Sequence, residues 1–311
     1  MFLPGRHNAG RLLCALASLF ATGTLVTTTL AAAGYSPSAE ASSSSGKQLV
    51  VENTDGSETL LASSEMLSRY GEKTVVIDDP HYHERRGYRG VDLRALLADQ
   101  GFSLGEQLVL ECIDGYEIAF DTTVLDNPDL NALLAIGDLE PSPGRDFKLF
   151  QHGRETVDFD PFYLIWHADG GGVDEAVWEK LPWPYQFSRI RRAKDFAPSP
   201  PPTDARSSVH AGYATFLDQC VRCHRVGNRG GQLGPPLDRD PGMLRELSDE
   251  QALELISQVS SFFPGSKMPD FQGILTETEI REVVDFLRWR LALPTSSNMA
   301  PEQQAADSGE H

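Results

Sequence analysis

The sequence Cys220-Val221-Arg222-Cys223-His224 contains the residues whose types and spacing point most directly to chemistry. Two thiols separated by two residues and followed at once by an imidazole form the attachment pattern of a c-type haem. Each thiol adds to one vinyl group of the porphyrin, and the adjacent histidine then lies under the ring, where a nitrogen reaches the iron. We therefore predict one covalent haem c, attached through Cys220 and Cys223, with His224 as an axial ligand of the iron.

A second axial ligand is expected further along the chain, because a haem that carries electrons usually has a ligand on each face of the iron. The sequence Lys267-Met268-Pro269 supplies a thioether sulfur. Met243 is the competing thioether, but it lies in a Pro-Gly turn ahead of a predicted helix and lacks this context. We therefore predict Met268 as the second iron ligand.

These residues resemble the class I cytochrome c domain, and the resemblance extends over 209–293. It includes an aromatic helix that leads into the haem motif, a Gly-Pro-Pro segment, the Lys-Met-Pro sequence and a final amphipathic helix. The resemblance implies an all-α fold in which the sulfur of Met268 is the sixth ligand of the iron. It also implies that a proline carbonyl, that of Pro235 or alternatively Pro236, accepts the proton of the ligand histidine's other nitrogen and orients the ring.

Two other uses of the motif stay open. A structural zinc ion could be held by Cys220, Cys223 and His224, and His210 is the nearby candidate for the fourth ligand that zinc needs. A redox-active dithiol is the second alternative. The downstream Gly-Pro-Pro and Lys-Met-Pro segments fit only haem, so we prefer the haem interpretation.

Apolar periodicity predicts three helices around these ligands. The first leads into the haem motif and places its apolar residues on one face, namely Val209, Tyr213, Phe216, Leu217 and Cys220. Capping-box patterns at Ser248 with Gln251 and at Thr276 with Glu279 begin the second and third helices. The resemblance to class I cytochromes c also implies that Gly212 permits a close approach between the first helix and the last.

An α+β domain is predicted ahead of the cytochrome-like segment, because short strands and helices are mixed along the chain. The predicted strands are 48–52, 58–61, 74–77, 108–113 and 117–120, and further apolar segments are 147–150, 162–166 and 187–190. Hairpins are indicated at Asp55-Gly56 and at the Asp-Gly-Tyr sequence of 114–116. One helix is expected from a cap at Ser63 or Ser64, and another over 91–100.

This domain resembles the fold of the sulfite oxidase family, also described as molybdopterin-binding, over roughly 47–195. The resemblance rests on the sequences at 88–93 and 114–116. Catalytic members of that family bind molybdenum through a cysteine in an upstream loop, with basic residues around the pterin phosphate. The only candidate thiol here is Cys112, directly before the Asp-Gly-Tyr turn, and a free cysteine is commonly a small buried hydrophobe. A molybdenum cofactor is therefore doubted.

The remaining histidines are weaker candidates for a site. The segment 81–86 combines two histidines with a carboxylate and two arginines, which could bind a metal ion or an anion. It falls in a polar stretch, and we interpret it as a solvated loop. His152 and His167 are isolated, and we interpret each as a hydrogen-bonded structural residue.

The composition indicates an exported protein with no nucleic-acid partner. A formal net charge of −18 would repel phosphates. Arg6 and Arg11 precede an apolar run that ends in alanines, which is typical of a signal peptide, and an uncleaved membrane anchor is less favoured. After its removal only Cys112 lies outside the haem motif, so no disulfide framework is expected. Because bacteria attach haem c after export, the predicted location is the periplasm.

The predicted organisation has two domains joined by a proline-rich spacer that leaves their relative geometry open. The segments are a signal peptide (1–33), a flexible leader (34–46), the sulfite-oxidase-like domain (47–195), the linker (196–208), the cytochrome c domain (209–295) and a disordered tail (296–311). The predicted function is single-electron transfer between periplasmic redox partners, with the first domain as a docking or ligand-binding module. An enzyme is not favoured, and no catalytic residue is assigned. The alternatives are a molybdenum-dependent oxidoreductase of the sulfite dehydrogenase type and a haem-based redox sensor.

Overall fold

The computed structural model describes residues 46–152, 155–169, 173–194, 196–239 and 242–292. The predicted signal peptide, all but the last residue of the predicted leader, and the predicted tail lie outside these residues. The strands are β1 (Gln48–Glu52), β2 (Glu58–Ala62), β3 (Lys73–Asp79), β4 (Glu84–Asp92), β5 (Gln107–Cys112), β6 (Glu117–Asp121), β7 (Leu130–Asp138), β8 (Phe150–His152), β9 (Glu155–Val157), β10 (Phe162–Ala168) and β11 (Tyr185–Arg192). The α-helices are α1 (Ser63–Tyr70), α2 (Leu93–Asp99), α3 (Glu175–Trp178), α4 (Ser207–Thr215), α5 (Met243–Glu246), α6 (Asp249–Ser257), α7 (Val259–Phe262) and α8 (Glu277–Ala292).

The first half of the described chain is built on one mixed sheet. Its strand order is β2-β1-β11-β10-β7-β4-β3, and β5 pairs with both β11 and β6. Strands β1 and β11 run parallel, and the other pairs are antiparallel. Strands precede and surround two short helices, α1 and α2, so the predicted α+β class is confirmed. The second half is helical, as predicted.

Apolar residues cover both faces of this sheet. On one face α1 and α2 bury Met66, Leu93 and Leu96 against the strands. On the other face an aromatic cluster forms around Phe159 and Tyr163, both with no exposed surface. Burying a side chain of this size contributes about 1.5–3 kcal/mol to the free energy of unfolding. The two layers therefore hold the sheet, and with it the β5–β6 hairpin, in one position.

The predicted helix over 91–100 is shorter in the structure, and its start was wrongly predicted. Val91 and Asp92 end β4, and the helix begins at Leu93. Asp92 is the N-cap, and its side chain accepts a hydrogen bond from the Ala95 amide at 3.0 Å. An acidic residue at this junction both ends the strand and starts the helix. The α1 cap also differs, since Ala62 occupies that position without a side-chain hydrogen bond.

The helical half places α8 against α4 at Gly212. A Cβ atom at this position would lie 1.8 Å from the carbonyl oxygen of Glu282, so only glycine permits this contact. The predicted close approach of the first and last helices is confirmed. Both predicted capping boxes are also present, with Ser248 Oγ 3.2 Å from the Gln251 amide and a reciprocal pair between Thr276 and Glu279. No helix among the residues described here is long and apolar enough to cross a membrane.

The two halves share an apolar cluster. Val109 and Phe196 pack in the same buried cluster as Val209, Phe216 and Phe286. All described residues lie in one compact unit that starts at Gly46. This shared core differs from the expectation that the proline-rich segment leaves the relative position of the halves open.

The proline-rich segment is itself tied to the helical half. Tyr213 on α4 donates a hydrogen bond from its hydroxyl group to the Pro198 carbonyl oxygen at 2.8 Å. Arg229, in the loop after the haem motif, donates to the Ala197 carbonyl at 3.3 Å. Carbonyl groups of this extended segment thus serve as acceptors for both a helix and a loop.

Candidate haem centre

The Cys-x-x-Cys-His motif lies at the end of a continuous helical segment. After α4 the chain passes through a π-helical turn over Phe216–Cys220. The amides of Cys223 and His224 then donate to the Cys220 carbonyl oxygen at 3.1 and 2.9 Å. Residues three and four apart in such a turn lie on the same side. The fold therefore brings both thiols and the imidazole together, as the attachment of one haem requires.

His224 is held by one well-defined hydrogen bond. Its Nδ1 lies 2.8 Å from the Pro235 carbonyl oxygen, and the residue is 9% exposed. Because a carbonyl only accepts, Nδ1 carries the proton and Nε2 keeps its lone pair. Burial lowers the pKa of His224, and the hydrogen bond to Pro235 opposes this only in part. The neutral imidazole, which is the form that binds iron, is therefore favoured.

Glycine residues give the imidazole the space it occupies. A Cβ at Gly234 would lie 2.3 Å from Cε1 of the His224 ring. A Cβ at Gly231 would lie 1.9 Å from the Arg222 carbonyl oxygen. Both are well inside ordinary contact, so the loop after the motif can lie against it only with glycine at these positions. Sequence reasoning used Gly234 only as part of the Gly-Pro-Pro segment and did not assign either glycine to the site.

The two cysteines of the motif are partly buried and free. Burial raises the pKa of Cys220 to about 12 and that of Cys223 to about 11. Both are therefore thiols at neutral pH as long as no metal ion is bound. Among the described residues there is no group of three or more His, Cys, Asp and Glu side chains placed to hold a metal ion. The zinc alternative, with His210 as fourth ligand, therefore has no support in the structure, whereas the donor set fits a haem.

Met268 lies in a loop that is held by hydrogen bonds on both sides of this residue. Its amide donates to Ser266 Oγ at 3.1 Å. Asp270 accepts a hydrogen bond from the amide of Ser260 on α7 at 2.8 Å. Met268 is half-buried, whereas the competing Met243 is 52% exposed at the start of α5. The surroundings of Met268 thus suit a ligand better than those of Met243, and its role stays a prediction.

The haem motif also contacts the first half of the chain. The turn between β5 and β6, residues 113–116, lies against the motif and the glycine loop that follows it. The Gln232 amide donates a hydrogen bond to the Gly115 carbonyl oxygen, and the Glu117 amide at the start of β6 donates to the Arg222 carbonyl oxygen. Sequence reasoning used the Asp-Gly-Tyr sequence of this turn only as a fold marker. The contact between this turn and the haem motif joins residues about a hundred positions apart. No local sequence pattern predicts such a contact.

Cys112 does not fit a molybdenum ligand. It is the last residue of β5, is 8% exposed and packs in the apolar core of the sheet. Burial raises the pKa of its thiol, and the nearby carboxylates of Asp114 and Glu117 act in the same direction. A metal-binding thiolate is disfavoured in such a place. The structure therefore supports the interpretation of Cys112 as a small buried hydrophobe.

The segment 81–86 forms no metal-binding group with other described residues. The His81 ring packs edge-on against aromatic rings that include those of Phe159 and Tyr185, at centroid distances of 5.5 and 5.3 Å. Arg86, predicted to lie in a solvated loop, is instead buried in β4 and pairs with buried Asp138. The loop interpretation was therefore wrong for Arg86, because the ion pair allows the charge to be buried.

Of the other two histidines, His167 forms no metal site with its described neighbours. His167 on β10 has its Nδ1 3.6 Å from Asp169 Oδ1, and burial lowers the pKa of its imidazole. It belongs to no metal-binding group among the described residues. His152 ends β8, and its side chain lies outside what the structure describes.

The helical fold and the Cys-x-x-Cys-His site define a c-type cytochrome domain in the second half of the chain. Residues 207–287 match the family model described as "Cytochrome C oxidase, cbb3-type, subunit III". A c-type cytochrome domain is an electron-transfer module, so the chain contains such a module over about a quarter of its length. No curated protein matches the chain.

Among solved structures, the chain is similar to the crystal structure of the sulfane dehydrogenase SoxCD from Paracoccus pantotrophus. The sequence identity is 14%, and the TM-score is 0.29. The match covers 47% of this chain and 38% of that chain. This protein therefore spans well under half of the SoxCD chain that it matches.

Proposed function

We propose that this protein is an exported monohaem cytochrome c that passes single electrons between two periplasmic redox partners. The observation that carries the proposal is the 2.8 Å contact between His224 Nδ1 and the Pro235 carbonyl oxygen. That contact holds a neutral imidazole in the same turn that carries Cys220 and Cys223, within a segment that matches a cytochrome family.

Each residue of the proposed centre has a distinct task. Cys220 and Cys223 would hold the haem covalently, His224 and Met268 would bind the iron, and Pro235 would fix the orientation of the imidazole. When bound, the haem supplies reversible one-electron chemistry. Neither axial side chain has to move or to exchange a proton for that chemistry. No general base or nucleophile is therefore needed, and we assign no catalytic residue.

The α+β half would serve as a docking or ligand-binding module in this proposal. It shares a buried core with the cytochrome half, so a partner bound to it would lie at a defined distance from the haem. The formal net charge of −18 favours a partner with a basic docking face, because opposite charges raise the rate of association.

Metal analysis of the full chain tests the proposal. The protein is matured in a host that attaches haem c and also makes the molybdenum cofactor. We expect iron near one atom per chain and no molybdenum. Stoichiometric molybdenum would overturn the carrier proposal in favour of an oxidoreductase of the sulfite dehydrogenase type, and Cys112→Ser should then abolish molybdenum binding. Carbon monoxide binding to the reduced protein would instead favour a haem-based sensor with a labile Met268.

The export part of the proposal has its own test. It rests on the arginines, apolar run and alanines within residues 1–33. N-terminal sequencing of protein from a periplasmic fraction is expected to begin near Gly34. Full-length protein that keeps Met1 and stays in the membrane fraction would contradict cleavage and indicate an anchor.

A further inference from the structure

The β5–β6 turn lies unusually close to the haem-attachment segment. The Gln232 amide donates to the Gly115 carbonyl oxygen at 2.7 Å, and the Glu117 amide donates to the Arg222 carbonyl oxygen at 2.8 Å. Gly115 has a φ of +91°, and a Cβ there would lie 2.8 Å from the backbone carbon of Gln232. This approach needs glycine at 115, and it fixes the turn relative to the segment that carries His224.

The same turn also contacts the loop of the predicted sixth ligand. Asp114 Oδ2 lies 3.1 Å from Lys267 Nζ, and Lys267 directly precedes Met268. The other carboxylate oxygen of Asp114 accepts a hydrogen bond from the Tyr116 amide at 3.1 Å, which holds the side chain in place. An ordered carboxylate from the α+β half therefore faces a cation in the Met268 loop.

We propose that the β5–β6 turn is a clamp on the Met268 loop, and that Asp114 is a positioning residue for the sixth iron ligand. The inference rests on the proposed function, because it takes Met268 as that ligand. The backbone hydrogen bonds anchor the turn to the haem-attachment segment, and the ion pair ties Lys267 to the same turn. Displacement of the Met268 sulfur would be easier if this loop moved away from the motif, and such a movement would separate Lys267 from Asp114.

The size of the effect follows from the exposure of the pair. The side chain of Lys267 is 52% exposed and that of Asp114 is 27% exposed, so water and salt screen their attraction. Pairs of this kind change an equilibrium by up to about fivefold. Removing the charge of Asp114 should therefore make displacement of the Met268 sulfur easier by up to about fivefold, without abolishing ligation.

Imidazole titration of the oxidised holoprotein measures this displacement directly. Imidazole competes with the thioether, and the loss of the sulfur-to-iron absorption band reports its binding. Asp114→Asn removes the charge but keeps an oxygen that can accept from the Tyr116 amide. We expect this variant to bind imidazole up to about fivefold more tightly than wild type. The difference should shrink in 1 M salt, where the screening length falls to about 3 Å.

A matched control separates the clamp from a general loss of surface charge. Asp99 on α2 pairs with Arg69 on α1 at 2.9 Å, and the two side chains are 31% and 48% exposed. This pair resembles the Asp114–Lys267 pair in chemistry and exposure. Asp99→Asn should leave the imidazole affinity unchanged. In a Lys267→Gln background, Asp114→Asn should have little further effect, because the interaction it removes is already absent.

The outcomes distinguish the clamp from the function on which it rests. A sulfur-to-iron band in wild type, with imidazole binding equal in wild type and Asp114→Asn, would overturn the clamp alone. Absence of that band in wild-type protein would overturn the ligand assignment and the clamp together. Gly115→Ala gives a second perturbation, because its Cβ would push the turn off Gln232, and it should weaken sulfur retention provided that circular dichroism shows a folded protein.

Discussion

Gly234→Ala should distort the imidazole of the haem centre and destabilise the holoprotein. The added Cβ would lie 2.3 Å from Cε1 of His224, whereas ordinary contacts begin near 3.4 Å. The ring or the loop must therefore move by roughly 1 Å. Such overpacking costs about 1–3 kcal/mol. Loss of the hydrogen bond to Pro235 adds about 0.5–1.5 kcal/mol.

The expected decrease in the free energy of unfolding is therefore about 1.5–4.5 kcal/mol. Denaturant unfolding of the holoprotein measures it, and circular dichroism in the main haem absorption band reports the environment of the haem. Gly101→Ala, in the α+β half and away from the proposed haem ligands, is a suitable control. Its φ is +75° with no atom within 4 Å of an added Cβ, so its cost is backbone strain alone. This control should leave the haem spectrum unchanged.

A Gly234→Ala protein as stable as wild type, with an unchanged haem spectrum, would refute the reasoning. Glycine to alanine normally stabilises a protein by about 0.4–1 kcal/mol at positions that accept the side chain, because it restricts the unfolded chain. A small gain in stability would thus show that the loop relaxes without disturbing His224.

Further predictions concern other contacts of the fold. Met268→Ala should remove the sulfur-to-iron absorption band of the oxidised protein, and an unchanged spectrum would exclude Met268 as ligand. Gly212→Ala should lower the free energy of unfolding by at least about 1–3 kcal/mol, since its Cβ would lie 1.8 Å from a carbonyl oxygen of α8. Asp92→Ala should cost about 1 kcal/mol at neutral pH through loss of the α2 cap. Burial opposes ionisation of Asp92, but Lys73 and the Ala95 amide outweigh it and lower its pKa. The difference in the free energy of unfolding between wild type and Asp92→Ala should therefore become smaller as the pH falls below about 4.

The sequence predicted most elements whose ends or faces are defined by residues close together in the chain. The Asp55-Gly56 turn, both capping boxes and the apolar face leading to Cys220 all follow local rules, and the structure contains each of these elements. These features depend on neighbours within a few residues, so a single sequence is enough to identify them.

Two central strands escaped prediction for physical reasons. Strand β7 is buried along nearly its whole length, so it lacks the alternation that marks a strand with one solvated face. It is also rich in leucine and alanine, which favour helices. Strand β4 contains Arg86, and a charged residue favours the prediction of a loop. Its partner Asp138 lies more than fifty residues later, so the sequence near Arg86 does not show that the charge is paired.

The parts of the haem centre also differed in how well the sequence predicted them. The predicted roles of Cys220, Cys223 and His224 follow from a motif that is local in sequence, and the contact of His224 with Pro235 was anticipated from a family resemblance. Two other features depend on loops that fold back onto the motif. These are the lack of space for a side chain at Gly231 and Gly234, and the contact of the β5–β6 turn with the motif. Such contacts are set by tertiary packing, and no periodicity encodes them.

Because the two halves share a core, replacing the cytochrome half by another c-type domain, or recombining the two halves between related genes, is restricted. Val109 and Phe196 complete the packing around Phe216 and Phe286, so a cut in the proline-rich segment would leave apolar surface open on both products. A chimera that receives an unrelated c-type module would keep the haem chemistry but would need a complementary face for β5 and β6. The two halves should therefore vary together at these positions among descendants of one ancestral gene, and recombination between them should be rarely tolerated.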